Sequence, residues 1–188
     1  IWKAIDEKQP IVVFGDYDVD GITSTALMIR VLDRLGAVAK PFLPHRIDDG
    51  YGLAPETLER CMTELQPALV ITVDCGTGAV DSVKRAGRNG VDVVVTDHHE
   101  SSGTVAPALA VVNPKLGSDE ASRHLAGVGV AFKLCHALLK RGRQDGINQS
   151  RHPGPRAYHH KVCPDRGEQI QDAPACRKDP VGFDKQGI

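Results

Sequence analysis

The chain has 188 residues, and 23 Lys and Arg set against 24 Asp and Glu give a net charge of −1. With a pI near 6.8, no global basic field marks a nucleic-acid binder. The longest apolar runs reach only strand length, too short to span a membrane, so no membrane association is expected.

The N-terminal "IWKAIDEKQP" has no initiator methionine and no signal-peptide apolar core, so the chain reads as a cytoplasmic piece of something longer. Five cysteines form no C-x-x-C pair, which argues against a zinc site. Cys61 and Cys135 fall on apolar helical faces and read as reduced core thiols.

In chain order, "IVVF" (11–14) predicts a buried parallel strand. A helix is expected after Thr23, with Leu27, Val31, Leu32 and Leu35 on one face and Gly36 as its stop. Pro55 opens a second helix carrying Leu58, Cys61, Met62 and Leu65. "ALVITV" (68–73) is a strand, a helix spans about 79–89, and "VDVVVT" (91–96) and "ALAVVN" (108–113) are two further strands. A last helix, about 128–141, is expected to bury Val128, Ala131, Phe132, Cys135 and Leu139. Alternating units of this kind imply an α/β fold: a mostly parallel sheet flanked by helices on both faces. From residue 143 apolar periodicity disappears, and a polar tail, disordered or non-native, is expected over 143–188. The His159–His160 pair within it reads as solvated polar chain.

Ligands of such sheets bind at the carboxyl ends of the strands. The first strand ends in "GDYDVDG", with Asp16, Asp18 and Asp20; the second ends in Asp74, and the third in Asp97, His98 and His99. Parallel strands bring these ends to one rim. Carboxylates about 5 Å apart repel by about 3 kcal/mol per pair at an effective dielectric near 20. Lys3, Lys8 and Arg30 flank the first motif only from a distance, so a bound cation is the expected remedy. Asp and His donors without cysteine favour manganese, magnesium or iron, and aspartates shared between two ions suit phosphoryl chemistry.

A calcium-loop reading fails, because the first half of the pattern is present but its twelfth position is Leu27 rather than glutamate. Asp20 or Ser24 also qualifies as a plain cap for the following helix. "GTG" (76–78) is a weak phosphate-turn signal, and Arg46 in "HRIDDGYGL" (45–53) belongs either to a phosphate contact or to a plain loop.

These residues resemble the DHH phosphoesterase superfamily, and within it the RecJ-type single-stranded-DNA-specific exonucleases. "VVFGDYDVDGITSTAL", "DDGYGL", "VDCG", "VVVTDHHE", "VVNPK" and "LAGVGVAFKL" recur there in this order, across residues 3–142. The resemblance implies an incomplete catalytic domain over 1–142 with two divalent ions, manganese or magnesium. It makes Asp16, Asp18, Asp20, Asp74 and His98 candidate ligands, with Asp18 and Asp20 the preferred core pair. Asp97 would orient the imidazoles or ligate, and His99 would contact the scissile phosphate. Arg46 and Gly76 are the other substrate-binding candidates. The implied reaction is stepwise 5′→3′ hydrolysis of single-stranded DNA in repair and recombination, with protein partners unknown.

The resemblance also implies a further ligand aspartate after "GVAFKL" and accessory DNA-gripping domains. The tail offers only Asp145, Asp165 and Asp172, none after a strand, so impaired activity is the expectation for this chain. Two other readings stand beside it. One is a hydrolase of oligonucleotides, cyclic dinucleotides or pyrophosphate; the other is a non-catalytic metal- or partner-binding fragment.

Overall fold

The structure, a computed structural model, describes residues 1–45, 52–101 and 103–144. The elements are α1 (Trp2–Asp6), β1 (Pro10–Gly15), α2 (Val19–Arg34), β2 (Val38–Phe42), α3 (Pro55–Leu65), β3 (Leu69–Val73), α4 (Val80–Arg88), β4 (Asp92–Thr96), β5 (Ala110–Val112) and α5 (Gly127–Gln144). Arg46, the cysteines at 163 and 176 and the polar chain from 145 onward lie outside the described residues.

All five strands are parallel, in the order β2-β1-β3-β4-β5. The chain moves outward from β1 to β2, then returns across β1 to build β3, β4 and β5. The reversal between β1 and β3 is the switch point at which such sheets open a crevice. Alternate residues of each strand feed opposite faces. Ile11, Val13, Ile71 and Val73 pack with Met28, Leu32, Ala131 and Cys135 of α2 and α5. Val12, Phe14, Val70 and Val95 pack with Leu58, Cys61, Val83 and Ala86 of α3 and α4. Cys61, Cys75 and Cys135 are buried free thiols.

Several details depart from the sequence reading. The edge strand β2 was not expected. Its "VAKPF" mixes Lys40 and Pro41 into a mostly exposed segment, which suits a sheet margin better than a core. The short helix α1 was likewise not foreseen. Helix α2 begins at Val19 rather than after Thr23: Asp18 caps it through the Gly21 N–H, and the hydroxyls of Thr23, Ser24 and Thr25 donate to carbonyls four residues back within it. The hydroxyl-rich run is therefore helix interior, and Asp18, not Asp20 or Ser24, is the cap.

Helix α5 turns a different face inward from the one expected. Val130, Ala131, Cys135 and Leu138 are buried while Phe132 is 57 % exposed. Small residues let the helix lie close to α2, where Cys135 Sγ meets Met28 Sδ at 3.8 Å. The phenylalanine instead stacks outside on His136.

Candidate active site

Strand register sets the site. Gly15 pairs with Val73, and Val73 with Thr96. The next residue of each strand is an aspartate, so Asp16, Asp74 and Asp97 leave the sheet side by side, all three buried.

Asp97 has every oxygen engaged. Its Oδ1 accepts the His98 and His99 N–H groups at 2.7 and 3.1 Å and faces His99 Nδ1 at 2.8 Å; its Oδ2 accepts the Thr77 N–H at 2.9 Å. Burial alone would raise its pKa, but the hydrogen bonds from Thr77 and His99 hold it below the usual carboxylate value. An ionised carboxylate only accepts, so Nδ1 of His99 carries a proton and Nε2 is left for other work. Burial pulls the His99 pKa down, but the Asp97 bond and the charges of Asp97, Asp74 and Asp16 raise it overall.

Asp74 is the opposite case. Its Oδ1 is buried and has no hydrogen bond among the described residues. His98 Nε2 lies 3.1 Å away, off the line of a hydrogen bond. Burial, then the charges of Asp20 and Asp18, push the Asp74 carboxyl up to about 7. Its backbone is left-handed, with φ 64°, a conformation costing of order 1 kcal/mol. Gly127 makes room for it, since a Cβ there would collide with the carboxylate.

The "GDYDVDG" aspartates have separate surroundings. Asp16 accepts the Tyr17 N–H at 2.6 Å, and its pKa is raised by burial and by the neighbouring Asp18 and Asp97 charges. Asp18 caps α2 through the Gly21 N–H at 2.8 Å. Asp20 reaches across to α5, accepting the Gly127 and Val128 N–H groups at 2.6 and 2.7 Å, and lies 3.7 Å from His98 Nε2. Of the preferred pair, Asp18 and Asp20 thus already hold backbone N–H groups, whereas Asp74 has an oxygen to spare.

Ligand atoms of Asp74, His98 and His99 all lie within 4.8 Å of one another. An orphaned carboxylate oxygen, two imidazoles and surrounding anionic groups form a donor set that fits a divalent cation. Beside it opens a cavity of about 320 Å³ lined by Asp16, Asp74, Asp97, His99, Leu53 and the turn Gly76 to Ala79 that leads into α4. Gly76 holds φ 109° in that turn. Arg46 cannot be placed, since it falls outside the described residues.

Two supporting residues escaped the sequence reading. Asn113, buried one residue beyond β5, donates to Thr77 Oγ1 and to the His99 carbonyl, both at 2.9 Å. Its position at a strand end within "VVNPK" was the available signal. Gly127, in "LAGVG", gave no local sign that it faces a carboxylate from β3. No helix among the described residues is long and apolar enough to cross a membrane.

A profile of the DHH family, N-terminal domain, matches residues 10–156. The chain is 44 % identical over 140 residues to the single-stranded-DNA-specific exonuclease RecJ of Bacillus subtilis strain 168, covering 74 % of this chain and 18 % of that protein. The crystal structure of an exonuclease RecJ bound to manganese is similar at TM-score 0.68 and 41 % identity, covering 74 % of this chain and 35 % of that one. RecJ from Thermus thermophilus in complex with Mn2+ gives TM-score 0.63 and 38 % identity, with coverages of 74 % and 19 %. The chain spans under a fifth of the length of the curated relative.

Proposed function

This chain belongs to the DHH family, and from that premise we propose that it forms the catalytic portion of a divalent-metal-dependent exonuclease acting on single-stranded DNA from the 5′ end. The catalytic domain is read over residues 1–142, with the polar chain after it outside the chemistry. DNA repair and recombination in the cytoplasm is the setting that this activity suits.

One observation carries the reading. The buried Oδ1 of Asp74 lacks a hydrogen bond among the described residues, sits beside His98 Nε2 at 3.1 Å, and belongs to a carboxyl pushed up to about 7. A group so placed is stabilised by a cation and destabilised without one.

Asp74, His98 and the oxygens of Asp16 and Asp18 not spent on backbone N–H groups form the proposed set for two manganese or magnesium ions, with Asp20, both of whose oxygens accept N–H groups of α5, sharing its remaining lone pairs. When bound, such ions polarise a phosphoryl group and make water a competent nucleophile near neutral pH. Asp97, with all its acceptor capacity used within the protein, is read as a positioning residue. It fixes the proton of His99 on Nδ1 and raises the imidazole pKa, so that Nε2–H is available to a phosphate oxygen or a leaving group. The Gly76 to Ala79 turn, which leads into α4, borders the same cavity.

The test uses the chain with manganese or magnesium and 5′-labelled single-stranded, double-stranded and dinucleotide substrates. Metal-dependent release of labelled mononucleotide from the single strand, lost in Asp74→Ala, is expected. Retained turnover in Asp74→Ala removes that residue from the site. Cleavage of dinucleotides alone makes the protein a small-oligonucleotide hydrolase, and metal binding without any cleavage overturns the enzymatic reading.

A further inference from the structure

A second cavity, of about 400 Å³, adjoins the site and has a different character. Lys115, Arg123, His124 and Leu125 line it, together with His98 and Glu100. Asp97 and His99 border the anionic cavity, His98 borders the basic one, and Glu100 borders both. The two openings therefore meet along the single segment that carries the catalytic imidazoles.

Both basic residues are held in register with that segment. The turn carrying Lys115 is fastened by Asn113, whose Oδ1 accepts the Lys115 N–H at 2.9 Å while its Nδ2 donates to the His99 carbonyl. Arg123 and His124 lie just before the start of α5, which the Asp20 carboxylate clamps through Gly127 and Val128. The cations themselves are only loosely engaged. Lys115 faces Glu100 at 3.3 Å and Arg123 faces Glu120 at 3.6 Å, each acid being largely exposed. Exposed pairs of this kind are weak and exchange readily for another anion. A phosphodiester entering the cavity would meet two cationic ends whose present partners are exposed carboxylates.

We propose that the Lys115–Arg123 cavity is a subsite for the phosphodiester of the nucleotide next to the one being cleaved. The anionic cavity then takes the reacting phosphate with its cations, and the basic cavity steers the rest of the strand over His98. This assignment rests on the reading of the chain as a nuclease and names the part of that site which distinguishes a strand from a mononucleotide. Glu100, on the border, would repel a strand and tune its affinity downward.

The experiment measures binding of 3′-fluorescein oligothymidylates of one, two and four nucleotides with phosphorothioate linkages, by anisotropy in magnesium across a salt series. Cleavage of the corresponding natural strands in manganese is followed separately. In the wild-type chain, affinity is expected to rise on going from two nucleotides to four, because only the longer strand carries a phosphodiester beyond the reacting one. Lys115→Gln with Arg123→Gln should remove that gain, about tenfold, and reduce the salt slope by roughly 0.7, the contribution of one single-strand phosphate contact. Lys115→Arg with Arg123→Lys should keep the slope, and Glu100→Gln should tighten binding.

An unchanged slope in the double glutamine variant overturns the subsite, whatever happens to cleavage. So does inorganic phosphate competing as well against the tetranucleotide as against the dinucleotide, which would mark a free-phosphate site. Absence of wild-type affinity for every strand has the same consequence. If the slope falls as expected but no strand is cut, the subsite stands as a phosphodiester site and the nuclease reading fails.

Discussion

Asp20 and Gly127 lie 107 residues apart in the chain, yet the Asp20 carboxylate accepts the Gly127 N–H at 2.6 Å and that of Val128 at 2.7 Å. An acid at the start of α2 thereby does for α5 what a cap usually does for its own helix, satisfying orphan N–H groups and complementing the positive end of the dipole. Hydrogen bonds to a charged group are each worth about 1.5–3 kcal/mol net. Asp20→Ala should accordingly lower stability by about 3 kcal/mol, read as a reduced urea midpoint in metal-free buffer. A change below about 0.5 kcal/mol would mean that the clamp contributes nothing measurable.

Gly127 also determines where the Asp74 carboxylate can be. Gly127→Ala places a methyl group on that carboxylate and must displace either α5 or Asp74. Manganese affinity, measured by calorimetry, is expected to fall at least tenfold, with helix content by circular dichroism unchanged. Wild-type affinity in this variant would show that Asp74 does not need its present position to bind metal.

The metal-free protein should lose stability as pH rises. The Asp74 carboxyl titrates near 7 in the fold and near 3.8 as a model group, so the folded state binds the extra proton between those values. Stability from this group is complete below about pH 4, declines through the interval, and is gone above about pH 7. Chemical denaturation in chelator at pH 5, 6, 7 and 8 tests this, with Asp74→Asn expected to flatten the decline. Manganese should raise the melting temperature more at pH 8 than at pH 5, because it replaces the proton. Equal melting-temperature shifts at both values would contradict this linkage.

Asp97→Asn keeps the shape of the side chain and removes its charge. The His99 pKa should then fall, since the hydrogen-bonded carboxylate that raises it is gone. The change is visible in the pH titration of the His99 ring resonances. Supporting residues that orient metal-site imidazoles typically carry roughly 10- to 100-fold effects, and a loss of that size in metal-dependent cleavage is expected. An unmoved His99 titration would remove Asp97 from its positioning role.

The order of elements, the parallel sheet and the acidic rim were legible in the chain because they depend on local pattern. Short apolar runs, helix periodicity and the rule that parallel strands end on one side suffice to bring Asp16, Asp74 and Asp97 together. The edge strand β2 was not legible, since a half-exposed segment with Lys40 and Pro41 has no apolar signature. The inward face of α5 was misjudged because Phe132 is the most apolar choice in isolation. Close approach to α2 instead selects the small face of Ala131 and Cys135.

Sequence alone preferred Asp18 and Asp20 as the core pair, and only the packed structure separated the aspartates by the N–H groups that each holds. Which carboxylate keeps a free oxygen depends on N–H groups delivered both from neighbouring residues and from far along the chain. Thr77 and His99 satisfy Asp97, Gly127 and Val128 satisfy Asp20, and Gly21 satisfies Asp18. Asp74 is left with a buried oxygen that no donor among the described residues reaches in hydrogen-bonding alignment. Residue identity determines that acids gather at the rim; hydrogen bonds made across the fold decide which of them has a lone pair left for a cation.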